Sequence, residues 1–159
     1  MPASQDDLIA TLRRLERAID LAQIIEPLAK GGYYHAGQAC VSVQRIFVHS
    51  DLESDFLKRF AAREIALIVG DPTKPETEVG PLITPSEADR AAKWIDDAVA
   101  GGARLIGGGR LSETTLRPAI LVQPPSDAKV LTLEVFGPVT CVDPFTELDD
   151  AIARENPCR

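Results

Sequence analysis

Aromatic side chains are scarce in this chain, and so are cysteine and histidine. Only 5% of the 159 residues are Phe, Trp or Tyr, against 45% apolar residues overall. The core must therefore be aliphatic, as in domains where helices pack on a sheet, and the length suits one globular domain with one core. Cys40, Cys141 and Cys158 are an odd number of thiols with no CxxC, and His35 and His49 lack a paired spacing. Neither a disulfide framework nor a zinc site is suggested, so no metal is expected. No apolar run approaches the ~18 residues of a membrane span, and Asp6 and Asp7 stand where a secretory leader needs positive charge. Seventeen basic residues face 24 acidic ones, a formal charge of −7 spread along the chain. Nucleic acid and anionic membranes are repelled on average. The expectation is a cytoplasmic protein that neither spans a membrane nor binds nucleic acid. Internal repeats and low-complexity segments are missing as well.

What is present is alternation of helix and strand. Apolar residues recur every three or four positions at Leu8, Leu12, Leu15, Ile19, Ala22, Ile25 and Leu28, and Gly31-Gly32 follows. This predicts one long helix, bent near Pro27, that the glycines stop. Ser50 and Glu53, ahead of Phe56, Leu57 and Phe60, form a capping-box pattern for a second helix reaching about Ile65. Thr84, Pro85 and Glu87 repeat that logic before Ala88, Ala91, Ala92, Ile95 and Val99, with Gly101-Gly102 as the stop. A fourth, shorter helix is predicted from Thr146, with Asp149 in its first turn and Leu148, Ala151 and Ile152 on its buried face. Between the helices lie β-rich runs at residues 45–49, 103–106, 119–122 and 139–142. Parallel neighbours need long crossovers, usually helical, so this order predicts an α/β fold: a mostly parallel sheet with helices on both faces. The longest irregular stretches are residues 71–81, stiffened by Pro72, Pro75 and Pro81, and residues 111–118.

Gly37-Gln38-Ala39-Cys40 places a polarizable nucleophile just after a glycine turn and before a β-branched run. A cysteine beside small residues is, on spacing alone, more often a packed core residue. Read outward, residues 30–48, from Lys30-Gly31-Gly32-Tyr33-Tyr34-His35 through Cys40 to Phe47-Val48, resemble the active-site cysteine segment of the aldehyde dehydrogenase family. Three further strings follow in that family's order: Gly70-Asp71-Pro72 with Val79-Gly80-Pro81-Leu82-Ile83; Gly101-Gly102-Ala103 with Gly107-Gly108-Gly109; and Glu134-Val135-Phe136-Gly137-Pro138-Val139. Gly107-Gly108-Gly109 alone is more often a turn than a phosphate cradle.

The resemblance implies a set of roles. Cys40 would be the nucleophile that adds to an aldehyde, gives up hydride to NAD or NADP, and leaves a thioester for water, with its own backbone amide donating to the oxyanion. Glu134 would hold the hydroxyls of the nicotinamide ribose, and Phe136 would support the nicotinamide. Read without the motif, these two are a solvated carboxylate and a core phenylalanine. His35 lies on the approach to the nucleophile and is not the expected base; His49 is expected to face solvent, Cys141 to be a buried inert thiol, Cys158 a frayed terminus, and Trp94 a core or subunit contact.

The resemblance covers residues 18–156 and implies a partial catalytic domain over residues 18–159, with residues 1–17 an unassigned helical extension. It also implies that the dinucleotide-binding domain, the oxyanion asparagine and the glutamate base of a Glu-Leu-Gly-Gly motif lie outside these residues, since there is no length here for a βαβ nucleotide fold. Self-association as a homo-oligomer is expected through the apolar surface such a piece would expose. Two other readings stay open: a non-catalytic truncated paralogue or interaction module, and a thioester-forming acyltransferase. Which aldehyde is oxidised, and with NAD or NADP, is not written in these residues.

Overall fold

The structure, a computed structural model, describes residues 20–155. The predicted repeat at Leu8, Leu12, Leu15 and Ile19 and the terminal Cys158 lie outside them. Asp20 is extended (ψ 105°), and its carboxylate accepts from Ala22 N at 2.9 Å, so the first described helix, α1, begins at its neighbour and runs Leu21–Tyr33. Leu21, Ile25, Ala29 and Tyr33 form its buried stripe, at intervals of four. The expected stop at Gly31-Gly32 is corrected, because both glycines sit inside the last turn. A Cβ at Gly31 would lie 2.8 Å from Val43 Cγ2, and one at Gly32 would lie 2.7 Å from Thr140 Oγ1. They are there to let the helix press on the sheet. The helix ends instead where His35 and Ala36 turn left-handed (φ 49° and 57°), within a 3₁₀ turn over Tyr34–Gly37.

Strand β1 (Arg45–His49) leads into α2 (Ser50–Ile65). The expected Ser50 cap is also corrected. The capping residue is His49, whose Nδ1 accepts from Asp51 N at 3.3 Å, while Ser50 is already helical. Nor does the His49 ring face solvent: it is 16% exposed and meets Phe145 edge-on at 5.6 Å. Helix α3 (Pro85–Ala100) follows its sequence signals, with Thr84 Oγ1 accepting from Glu87 N at 3.2 Å and Pro85 at the first position. Its buried face is Ala88, Ala91, Ile95 and Ala98, so Val99 points outward. Trp94 is half-buried against that face, under the Arg90 guanidinium at 4.6 Å.

Strand β2 (Arg104–Gly107) and β3 (Ala119–Val122) precede a single-turn helix, α4 (Lys129–Thr132), that no sequence signal announced. Strand β4 (Val139–Phe145) runs three residues beyond the expected end. Past Val142 it has left β3 and pairs with β1 only, and Pro144 is tolerated in such an edge position. Helix α5 (Leu148–Glu155) starts two residues late and buries Ala151, leaving Ile152 half-exposed rather than buried.

The sheet order is β1-β4-β3-β2, with β1–β4 and β4–β3 parallel and β3–β2 antiparallel. The fold is α/β with a mostly parallel sheet. Alternation along β3 divides the core: Ile120 and Val122 face α1 and α2 with Phe56 and Phe60, while Ala119 and Leu121 face α3 with Val130 and Val135. Helices therefore cover both faces. Among the described residues no helix is long and apolar enough to cross a membrane, and no group of three or more His, Cys, Asp or Glu is placed to hold a metal ion.

Candidate active site around Cys40

Cys40 lies in a turn closed by Ser42 N donating to Ala39 O at 2.9 Å, and it is exposed. The turn precedes β1, so it sits at the amino ends of the parallel strands. The general preference of α/β sheets for sites at their carboxyl ends therefore does not explain its place. Backbone contacts hold the turn instead. A Cβ at Gly37, whose φ is +70°, would lie 2.0 Å from Gly137 O, an approach that only glycine permits. That contact clamps the cysteine loop onto the segment leading into β4. On the other side Gln38 donates to Pro81 O (3.3 Å) and accepts from Ile83 N (2.9 Å), and Ser42 Oγ donates to Gly32 O (3.1 Å).

A cavity of about 90 Å³, room for a few water molecules, is lined by Cys40, Ser42, Gln44, Glu134, Phe136 and backbone from Gly37 and Gly137. The three residues singled out by sequence, Cys40, Glu134 and Phe136, thus meet around one hollow although Cys40 is far from the other two in the chain. Phe136 is 39% exposed and left-handed (φ 50°), a conformation a bulky residue rarely adopts, and it is not a core ring. Glu134 is exposed beside it. The chemistry of this rim fits a nicotinamide nucleotide: a carboxylate can accept from a vicinal diol, and a ring held clear of the core offers a flat face.

The other candidates fall away from the site. The His35 ring packs on Tyr34 with centroids 3.8 Å apart, and its carbonyl accepts from Gln38 N at 3.1 Å. Cys141 is fully buried in β4, and burial pushes its thiol up to about 12. It is the inert thiol that was expected. Gly107, Gly108 and Gly109 (φ 68°, 77° and 105°) form a turn after β2, and Gly107 rests on the Glu64 carboxylate.

Sequence reasoning passed over Gln44. Its Nε2 donates to Val130 O (2.8 Å) and Leu133 O (2.9 Å), and its Oε1 accepts from Val135 N (2.9 Å). The available signal was an uncharged amide at the mouth of an apolar strand, where donor and acceptor both need partners. Arg90 adds a hydrogen bond of 2.7 Å to Val135 O.

Comparison with known proteins identifies the family. The aldehyde dehydrogenase family model matches residues 15–159. The chain is 34% identical over 137 residues to the 3-sulfolactaldehyde dehydrogenase of Priestia aryabhattai, covering 86% of this chain and 29% of the relative. It is 38% identical over 140 residues to succinate-semialdehyde dehydrogenase [NADP(+)] 1 of Mycobacterium bovis, covering 86% and 31% respectively. The crystal structure of a Mycobacterium tuberculosis aldehyde dehydrogenase complexed with NAD+ superimposes with a TM-score of 0.82 at 30% identity, covering 87% of this chain and 30% of that one. The chain spans less than a third of the length of these proteins. The matches take in most of the described residues, the cysteine turn and the Glu134–Phe136 rim included, and on that ground the chain belongs to the aldehyde dehydrogenase family.

Proposed function

We propose that this chain supplies the nucleophile-bearing wall of a site that oxidises an aldehyde to a carboxylic acid with NAD or NADP. The observation that carries the reading is the shared cavity: an exposed Cys40 on a rigid turn, facing Glu134 and Phe136. The Cys40 thiolate adds to the carbonyl carbon, and its own backbone N–H donates to the oxygen that becomes negative. NAD or NADP, held by Glu134 and Phe136, would supply the acceptor for the hydride lost from the thiohemiacetal carbon. What remains on Cys40 is a thioester, which water cleaves to the acid. Glu134 would hold the ribose hydroxyls and Phe136 would back the nicotinamide ring, so both would act by orientation, which contributes through geometry. Substrate choice belongs to walls beyond these residues; the relatives act on aldehydes as different as 3-sulfolactaldehyde and succinate semialdehyde.

The test is acylation by an activated ester such as p-nitrophenyl acetate. The full chain should slowly release one equivalent of nitrophenol and carry the acetyl group on Cys40, with Cys40→Ala silent. An acetyl group mapped to Cys141, or a release that survives Cys40→Ala, would remove the nucleophile and the reading with it.

A further inference from the structure

We infer that Gln44 is a positioning residue: its carboxamide fixes the backbone on both sides of Glu134 and thereby holds that carboxylate on the rim of the Cys40 cavity. This rests on the role proposed above for Glu134.

The carbonyl of Leu133 belongs to the peptide plane that enters Glu134, and the N–H of Val135 belongs to the plane that leaves it. Gln44 binds both, the first from Nε2 and the second to Oε1, each at 2.9 Å. The φ and ψ of Glu134 are rotations between those two planes, so one side chain brackets both angles. It does for this loop what a neighbouring strand does for a ladder residue. The second Nε2 proton goes to Val130 O at 2.8 Å, tying α4 to the same point. The main chain of Gln44 is itself anchored, since Gln44 O accepts from Cys141 N at 2.8 Å. The bracket is therefore fixed to the sheet and lies four residues from the nucleophile.

The pattern is specific to a glutamine. Two carbonyl oxygens and one N–H require two donors and one acceptor on a single planar group. Glutamate supplies no donor, methionine supplies neither, and asparagine is one methylene short. Among the described residues no other side chain holds Glu134: it is exposed, while its neighbour Val135 is buried and further held by Arg90. Losing the bracket should leave the fold standing and let Glu134 swing from the cavity.

Reagent charge reads this without any cofactor. A carboxylate beside Cys40 disfavours anionic iodoacetate relative to neutral iodoacetamide, so the ratio of the two alkylation rates, mapped at Cys40, reports where Glu134 stands. Glu134→Gln should raise the iodoacetate-to-iodoacetamide ratio about threefold at low salt. Gln44→Met and Gln44→Asn should raise it by a similar factor, and neither should add to Glu134→Gln in the double variant. Amide hydrogen exchange at Val135 should quicken in both Gln44 variants while that of the β3 amides is unchanged. A ratio that responds to Glu134→Gln but not to the Gln44 variants overturns the positioning role and leaves the proposed function intact. A ratio that responds to neither overturns the placement of Glu134 against Cys40, and both readings fall. Unchanged Val135 exchange in Gln44→Met counts against the bracket whatever the ratio does.

Discussion

At the scale of single residues, Glu64 is the side chain most at odds with its surroundings. It is 4% exposed, its Oε2 has no hydrogen-bond partner among the described residues, and a Cβ at Gly107 would lie 2.4 Å from Oε1. Burial pushes its pKa from 4.5 up to about 7, with Arg117 pulling the other way. Because the folded value lies above the unfolded one, folding favours the protonated acid. The stability this contributes is fully present below pH 4.5 and is lost as pH rises through 7. Glu64→Gln keeps the shape without the charge. Denaturant titrations from pH 4.5 to 8 should show the variant gaining on the parent by about 1 to 2 kcal/mol across that window. Equal pH slopes for the two proteins would show that the carboxylate is solvated after all.

The candidate site was legible at this scale where it is carried by residue type within a short string. Cys40 in its glycine turn and the Glu134–Phe136 run both announced themselves that way. Gln44 and His49 did not. The partners of Gln44 lie 86 to 91 positions away, and an amide at the mouth of a strand says that it needs partners without saying which.

At the scale of elements, the two expected capping boxes separate cleanly. Thr84 performs its role, whereas Ser50 is displaced by the ring nitrogen one residue earlier, because β1 runs directly into α2 and leaves no turn for a serine cap. Thr84→Ala should cost about 1 kcal/mol. Ser50→Ala should stay within about 0.5 kcal/mol, as for an exposed residue free of such bonds. Thermal melts of the two variants decide this, and a larger loss for Ser50→Ala would restore the box read from sequence. The four strands and three longer helices were legible because hydrophobic period and punctuation agree there. The end of α1 was not: Gly31 and Gly32 read as a stop, yet they serve contact with Val43 and Thr140, a tertiary demand with the same residue type as its signature. Helix α4 was missed among prolines and polar residues. Its need was implicit all the same, since β3 and β4 are parallel neighbours and the chain between them must cross over.

At the scale of the molecule, the last question is what these 159 residues do unaided. Hydride transfer needs the nicotinamide held against the thiohemiacetal, and such positioning can supply ~7 to 11 kcal/mol of the barrier. In the site proposed above, Glu134 and Phe136 would reach only one end of the nucleotide. The pyrophosphate at its middle needs free amides at a helix start, and the starts of α1, α2, α3 and α5 are poorly suited to it, α4 being a single turn. The amide of Ala22 in α1 is taken by Asp20; α2 opens with Asp51 and Glu53, α3 with Glu87 beside the Thr84 cap, and α5 with Asp149 and Asp150. Carboxylates in a first turn oppose a phosphate where the helix dipole would attract one. A formal charge of −7 adds to the repulsion. The family resemblance implies a second oxyanion donor outside these residues, and one donor fewer costs a further hundred- to thousandfold, about 3 to 4 kcal/mol. These losses fall on successive events, binding, addition and hydride transfer, so they compound. The purified 159-residue chain should acylate slowly at Cys40 with activated esters and form no NADH from aldehyde and NAD. Absorbance at 340 nm with millimolar aldehyde and NAD checks it directly. Steady NADH formation that disappears in Cys40→Ala would mean that the cavity described here binds the nucleotide on its own, and that the acidic helix starts are no obstacle to it.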